Sequence, residues 1–167
     1  DGDKKPKILT ADSANGALFC LNGVGKLLWK AQLPSGTDSP PAVADLDGDG
    51  KPEIVIGTMK VGRDGRVVVL DATTRKTRWS AKVPGHVQSE PALVDLNGDK
   101  ILDVVVTCWY GDKSVRALNG KTGAELWKHA MVGDIYHGVS IVDGRVFATS
   151  TGGDARLLDA KGNEMWS

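Results

Sequence analysis

The sequence predicts an all-β chain, a β-propeller segment built from four-stranded antiparallel blades. Two observations carry this. Short runs rich in Val, Ile and Leu, each bounded by Gly, Asp or Asn, recur along the 167 residues, and this is strand rather than helix patterning. The runs also come in repeats marked by Trp29, Trp79, Trp127 and Trp166, which stand 50, 48 and 39 residues apart. Four strands per unit at that period is the signature of a propeller blade.

Each unit reads in one order. The innermost strand, A, is Pro41-Ala-Val-Ala-Asp45, then Pro91-Ala-Leu-Val-Asp95, and more weakly Val139-Ser-Ile-Val-Asp143. Strand B is Lys7-Ile-Leu-Thr10, Glu53-Ile-Val-Ile-Gly57, Asp103-Val-Val-Val-Thr107 and Arg145-Val-Phe-Ala-Thr149. Strand C ends at Asn22, Asp71, Asn119 and Asp159, and strand D closes near each Trp. The chain is therefore one propeller segment over 1–167, with blades at about 1–36, 37–86, 87–134 and 135–167. The first lacks strand A. Such an arc exposes strand edges at both ends, which predicts further blades, or a partner chain, covering them.

Composition narrows the function. Lysine plus arginine equals aspartate plus glutamate, 21 each, and the pI is near 7.0, so nothing favours capture of nucleic acid. No apolar run is long enough to span a bilayer as a helix, so direct membrane insertion is not expected. Cys20 and Cys108 stand at non-equivalent places in their repeats and read as free buried thiols.

The most informative motif is an acidic loop between strands A and B. It occurs as Asp45-Leu-Asp47-Gly-Asp49-Gly-Lys51-Pro-Glu53 and again as Asp95-Leu-Asn97-Gly-Asp99-Lys-Ile101-Leu-Asp103. Oxygen donors at alternating positions of a tight loop suit a hard divalent cation. The expected ligands are the side chains of Asp45, Asp47, Asp49 and Glu53 with the carbonyl of Lys51. In the second copy they are Asp95, Asn97, Asp99 and Asp103 with the carbonyl of Ile101. Unpaired, these carboxylates repel one another, so structural Ca2+ is expected at two sites. Asp1 and Asp3 form a partial third, where Lys7 stands in the place of Glu53 and Asp103. The fourth unit has only the turn Val142-Asp-Gly-Arg145.

The acidic loop leading into Ile54-Val-Ile-Gly57 resembles FG-GAP/VCBS-type propeller repeats. The ending Leu-Asp-Ala followed by Gly-x-x-x-Trp resembles the tryptophan-docking repeats of quinoprotein-like (PQQ-like) propellers. The resemblance implies a calcium-bearing, extracytoplasmic propeller of seven or eight blades, placed extracellularly, at the cell surface or in the periplasm. It reaches the scaffold and not the quinone: those enzymes use a vicinal cysteine pair, and this chain has no adjacent cysteines.

Four equivalent tryptophans read as staples between blades. Trp109, outside that register in the B–C turn of the third unit, reads as a candidate ligand contact. So do His86, Gln88 and Glu90, and Tyr136 and His137, which precede the A strands and should ring the channel mouth. No catalytic residue is assigned. The expected function is a non-catalytic, calcium-stabilised module that binds a protein or carbohydrate, or serves an assembly. The alternative is a fragment of a propeller enzyme, a polysaccharide lyase or a quinoprotein-type oxidoreductase.

Overall fold

The structure is a computed structural model that describes residues 5–59 and 65–167. Asp1 and Asp3, the partial third site, lie outside the described residues. Four antiparallel sheets follow one another along the chain. The first is β1 (Lys7–Ala11), β2 (Ala17–Asn22) and β3 (Leu27–Gln32). The second is β4 (Ala42–Ala44), β5 (Glu53–Thr58), β6 (Gly65–Asp71) and β7 (Thr77–Val83). The third is β8 (Ala92–Val94), β9 (Asp103–Cys108), β10 (Ser114–Leu118) and β11 (Glu125–Ala130). The fourth is β12 (Ser140–Val142), β13 (Arg145–Thr149), β14 (Ala155–Leu158) and β15 (Glu164–Trp166). Within each sheet every strand pairs with its neighbour in sequence. Among the described residues there is no helix. This is the propeller arrangement that the repeats predict.

The period of two in each strand explains how the blades stack. Along β5, Ile54 and Ile56 pack with Leu18 of the first sheet and Leu33 just after it, whereas Val55 packs with Val104 and Val106 of the third. Along β9, Val105 turns the other way and joins Val146, Ala148 and Leu158 of the fourth. Both strands are buried at every residue, so they read as continuous apolar runs instead of alternating ones. The outer strands β3 and β11 face water on one side and do alternate; in β11, Trp127 is half-buried between the exposed Leu126 and Lys128. Cys20 and Cys108 are free and buried, and burial pushes the Cys108 thiol up to about 12.

Two details repeat from blade to blade. Trp79 lays its ring on the turn of the third sheet and donates Nε1–H to the Gly120 carbonyl at 2.8 Å; Trp127 does the same to Ala160 at 3.0 Å. The turn needs glycine there: Gly123 has φ +74°, and a Cβ on it would lie 2.6 Å from a Trp79 ring carbon. The second detail is a β-bulge in every outer strand. Trp29 faces Cys20 but Leu27 faces Leu21, and the slip recurs at Val69/Leu70, Ala117/Leu118 and Leu157/Leu158. The extra residues are Leu28, Arg78, Leu126 and Met165, which the bulge aims away from the ladder.

Candidate functional site

The two acidic loops are superposable hydrogen bond for hydrogen bond. Asp45 folds its loop around itself: Oδ1 accepts from the N–H of Gly48 at 2.8 Å and Oδ2 from Gly50 at 2.8 Å. Asp95 accepts from Gly98 at 2.7 Å and Lys100 at 2.9 Å. Asp49 accepts from Lys51, and Asp99 from Ile101, each at 2.8 Å. Gly50 and Lys100 both take positive φ, +81° and +68°, so the second copy holds a lysine where glycine is favoured. The Gly50 N–H draws the Asp45 carboxyl below the usual carboxylate range. One oxygen each from Asp45, Asp47 and Asp49 lies within 4.8 Å of the others, the only such group of potential metal ligands among the described residues. An all-oxygen, multiply charged set of this kind fits a hard cation. In the second copy Asn97 supplies a neutral oxygen in place of Asp47.

The last acidic residue of each loop has a different setting. Glu53 is buried, its Oε2 accepting from the Leu46 N–H at 2.8 Å. Asp103 is buried and accepts from Leu96 at 3.3 Å and Gly120 at 3.4 Å. Burial pushes both carboxyls up. Sequence reasoning missed Arg78, the bulge residue of β7. It pairs with Asp47, with Glu53 at 3.1 Å and with Asp71 at 3.8 Å. The same place holds Leu28, Leu126 and Met165 in the other units, so the arginine departs from the repeat.

On the face formed by the B–C turns and the segments leading into the A strands, the six candidate contact residues form one patch. His86 and Trp109 exchange backbone hydrogen bonds of 2.8 and 2.9 Å. Their rings meet edge to face at 5.7 Å, Tyr110 lies 5.6 Å from His86, and Tyr136 from the segment leading into the fourth sheet closes on Trp109 at 5.2 Å. Tyr110 and Tyr136 are about half exposed, 51% and 48%. Both ring nitrogens of His86 and Nε1 of Trp109 are buried with no hydrogen-bond partner. Beside the rings lies a cleft of about 630 Å³, lined by Asp38, Gln88, Glu90, Tyr136 and His137 among others. Buried hydroxyls fix its walls: Ser39 Oγ donates to the Ser89 carbonyl at 2.8 Å, and Thr107 Oγ1 donates to the His137 carbonyl at 3.0 Å.

The turn that presents Trp109 and Tyr110 is held under strain. Tyr110 and Lys113 have φ +52° and +47°, a left-handed conformation that costs a non-glycine residue about 1 kcal/mol or more. Asp112 holds the turn. Its buried carboxylate accepts from Ser114, from Arg116 Nε at 2.9 Å and from Lys128 at 2.8 Å, while Arg116 also pairs with Glu125. Burial alone would raise this carboxyl, but the hydrogen bonds from Lys128, Ser114 and Arg116 outweigh it and hold it below the usual range.

A family model described as outer membrane protein assembly factor BamB matches residues 52–167, and one described as FG-GAP-like repeat matches residues 1–56. Among solved structures, the chain is similar to BamB from Moraxella catarrhalis at 19% identity and a TM-score of 0.74, covering 96% of this chain and 45% of that one. It is also similar to BBS1N in complex with ARL6DN, in a mercury-soaked crystal (18% identity, TM-score 0.66, 93% of this chain and 47% of that one). A lead-soaked crystal of the same complex gives 14%, 0.68, 96% and 49%. The chain spans about half the length of these structures, and at such identities the likeness concerns the fold. No curated protein matches the chain in sequence.

Proposed function

The chain belongs to the family described as outer membrane protein assembly factor BamB, which matches it over residues 52–167, and from that premise we propose that it is a non-catalytic propeller module that binds protein outside the cytoplasm, in the periplasm or at an outer membrane. The observation that carries the reading is the aromatic patch of Trp109, Tyr110 and Tyr136 beside an acidic cleft. Tyrosine and tryptophan offer large, stiff contact area and are enriched where proteins meet. The patch stands on a strained turn held by a buried ion network, so a partner would meet a surface already in place. Of the two partner classes the sequence leaves open, protein is the one the comparisons support: the neighbours include an assembly factor in name and a protein complex by title.

The test places a photo-crosslinking residue at Tyr110, at Tyr136 and, as control, at Lys30 on the outer strand β3. The full-length protein is then produced in a Gram-negative host. Crosslinks to outer-membrane assembly proteins are expected from 110 and 136 and not from 30. Equal yields at all three places would defeat the assignment of this face.

Within the same proposal the two acidic loops hold structural calcium. Asp45, Asp47 and Asp49, and Asp95, Asn97 and Asp99, would be the side-chain ligands, with Lys51 and Ile101 through their carbonyls and Glu53 and Asp103 closing each set. The bound ion would offset carboxylate repulsion and fix the A–B turn. An extracellular-type affinity, about 10⁻⁴ to 10⁻³ M, is expected. Adding calcium at ten to a hundred times that constant should then stabilise by roughly 1.4–2.7 kcal/mol per site. Thermal unfolding after chelation and calcium titration checks this, with Asp45→Asn and Asp95→Asn each removing one increment. An unfolding temperature indifferent to calcium would exclude the ion.

A further inference from the structure

We propose that the cavity between the first and second sheets binds an amphipathic anion, a small apolar body ending in one oxyanion. This site stands apart from the protein-binding face and does not depend on it. It arises where two departures from the repeat meet. The first is in the tryptophan staple. Gly123 and Gly162 let the rings of Trp79 and Trp127 close onto the next turn, and a Cβ on either would lie 2.6 Å from a ring carbon. The turn facing Trp29 carries Arg75 in that place, at φ +63°. A side chain there would keep the ring from closing as Trp79 does, and Trp29, Ala72, Thr73 and Arg75 line a cavity of about 430 Å³. That volume falls within the roughly 300–1,000 Å³ of small-molecule sites.

The second departure is in charge. The second and third units begin strand B with the buried carboxylates of Glu53 and Asp103. The first unit has Lys7, which also lines the cavity. Lys7 Nζ donates to the Lys5 carbonyl at 3.4 Å, and Arg75 Nη1 donates to the Thr73 carbonyl at 3.0 Å. The rest of the wall is apolar, with Leu9, Trp29 and Ile54 beside the neutral thiol of Cys20, which burial pushes up. Among the described lining residues there is no carboxylate. An apolar tail would leave water against Trp29, Leu9 and Ile54. An oxyanion would find a guanidinium, whose fork of five donors exceeds the one side-chain bond that Arg75 makes among the described residues, to Thr73.

The experiment follows the Trp29 indole N–H resonance of the full chain, assigned with a Trp29→Phe variant, during titration with octanoate, octyl phosphate, octanol and octylammonium. Saturable shifts are expected with octanoate, octyl phosphate or both, at concentrations about tenfold lower than with octanol or octylammonium. Which of the two anions binds better tells carboxylate from phosphate. Arg75→Gly should abolish the preference and move the Trp29 resonance towards that of the stapled Trp79. Arg75→Gln, which keeps a side chain in the turn, should lose the preference without that movement. Equal or tighter binding of octanol or octylammonium, no saturation, or an anion preference that survives in both Arg75 variants would overturn the proposal.

Discussion

Replacing Trp79 by alanine is expected to cost about 3 kcal/mol of folding stability, the low end of the large-aromatic range because the ring is only partly buried. Three losses combine. The ring leaves the core between the second and third sheets, the Gly120 carbonyl loses its donor, and a gap opens over Gly123. Trp79→Phe separates them: it keeps most of the ring contact and loses the hydrogen bond, for about 1 kcal/mol. Gly123→Ala attacks the same contact from the other side, since its Cβ would enter the indole and its φ of +74° disfavours a side chain. Chemical denaturation gives all three values. A loss below 1 kcal/mol in Trp79→Ala would mean that the tryptophans are surface ornaments of the blades and not their staples. Against a total stability of about 5–15 kcal/mol for a domain, the expected loss is a large share.

Asp112→Asn is expected to cost about 3 kcal/mol, because it strands the buried guanidinium of Arg116 and frees the strained turn. Glu125 remains to pair with Arg116 and keeps the loss from the top of the range. The acid dependence has a definite sign. The folded carboxyl titrates below its unfolded value, so its contribution is fully present above the unfolded pKa and is lost as pH falls through the folded one. The stability gap between wild type and Asp112→Asn should therefore be constant from pH 5 to 7 and narrow below about pH 4. Pairing Asp112→Asn with Arg116→Met should cost less than the sum of the single changes, since the stranded charge goes with it. The indole N–H resonance of Trp109, assigned with a Trp109→Phe variant, reports the turn directly. A gap that stays constant down to pH 2 would show that Asp112 is not the titrating partner.

Much of this architecture was legible before any coordinate. The repeated Trp, the Pro-Ala-Val-Ala-Asp phrase and the Val-rich B strands fix four units, because propeller blades reuse one local pattern whose parts pair only with sequence neighbours. The acidic loops were legible for the same reason: their acidic residues lie within nine positions. What stayed hidden depends on the third dimension or on exceptions to local rules. Arg78 reaches Asp47 and Glu53 only because a bulge turns it there, and a bulge has no fixed spelling. Trp109 meets Tyr136 across two blades, so each could be named as a candidate while their contact could not. The left-handed Tyr110 and Lys113 carry no sequence mark, since that conformation is ordinarily announced by glycine. The cavity beside Trp29 is visible in the sequence only afterwards, as arginine and lysine in places where the other units have glycine and a carboxylate.

The staples also point in one direction. Both docked indoles sit on the turn of the blade made after their own: Trp79 on Gly123, 44 residues further on, and Trp127 on Gly162. During synthesis at about 5–20 residues per second, a blade therefore emerges with its tryptophan uncovered and waits roughly 2–9 seconds for the surface that covers it. Completion runs from the N-terminus onward, and the newest blade is always the unfinished one. A chaperone that shields single exposed indoles would have one client site at a time on such a chain, and a pause in translation just after a tryptophan would prolong its most aggregation-prone state.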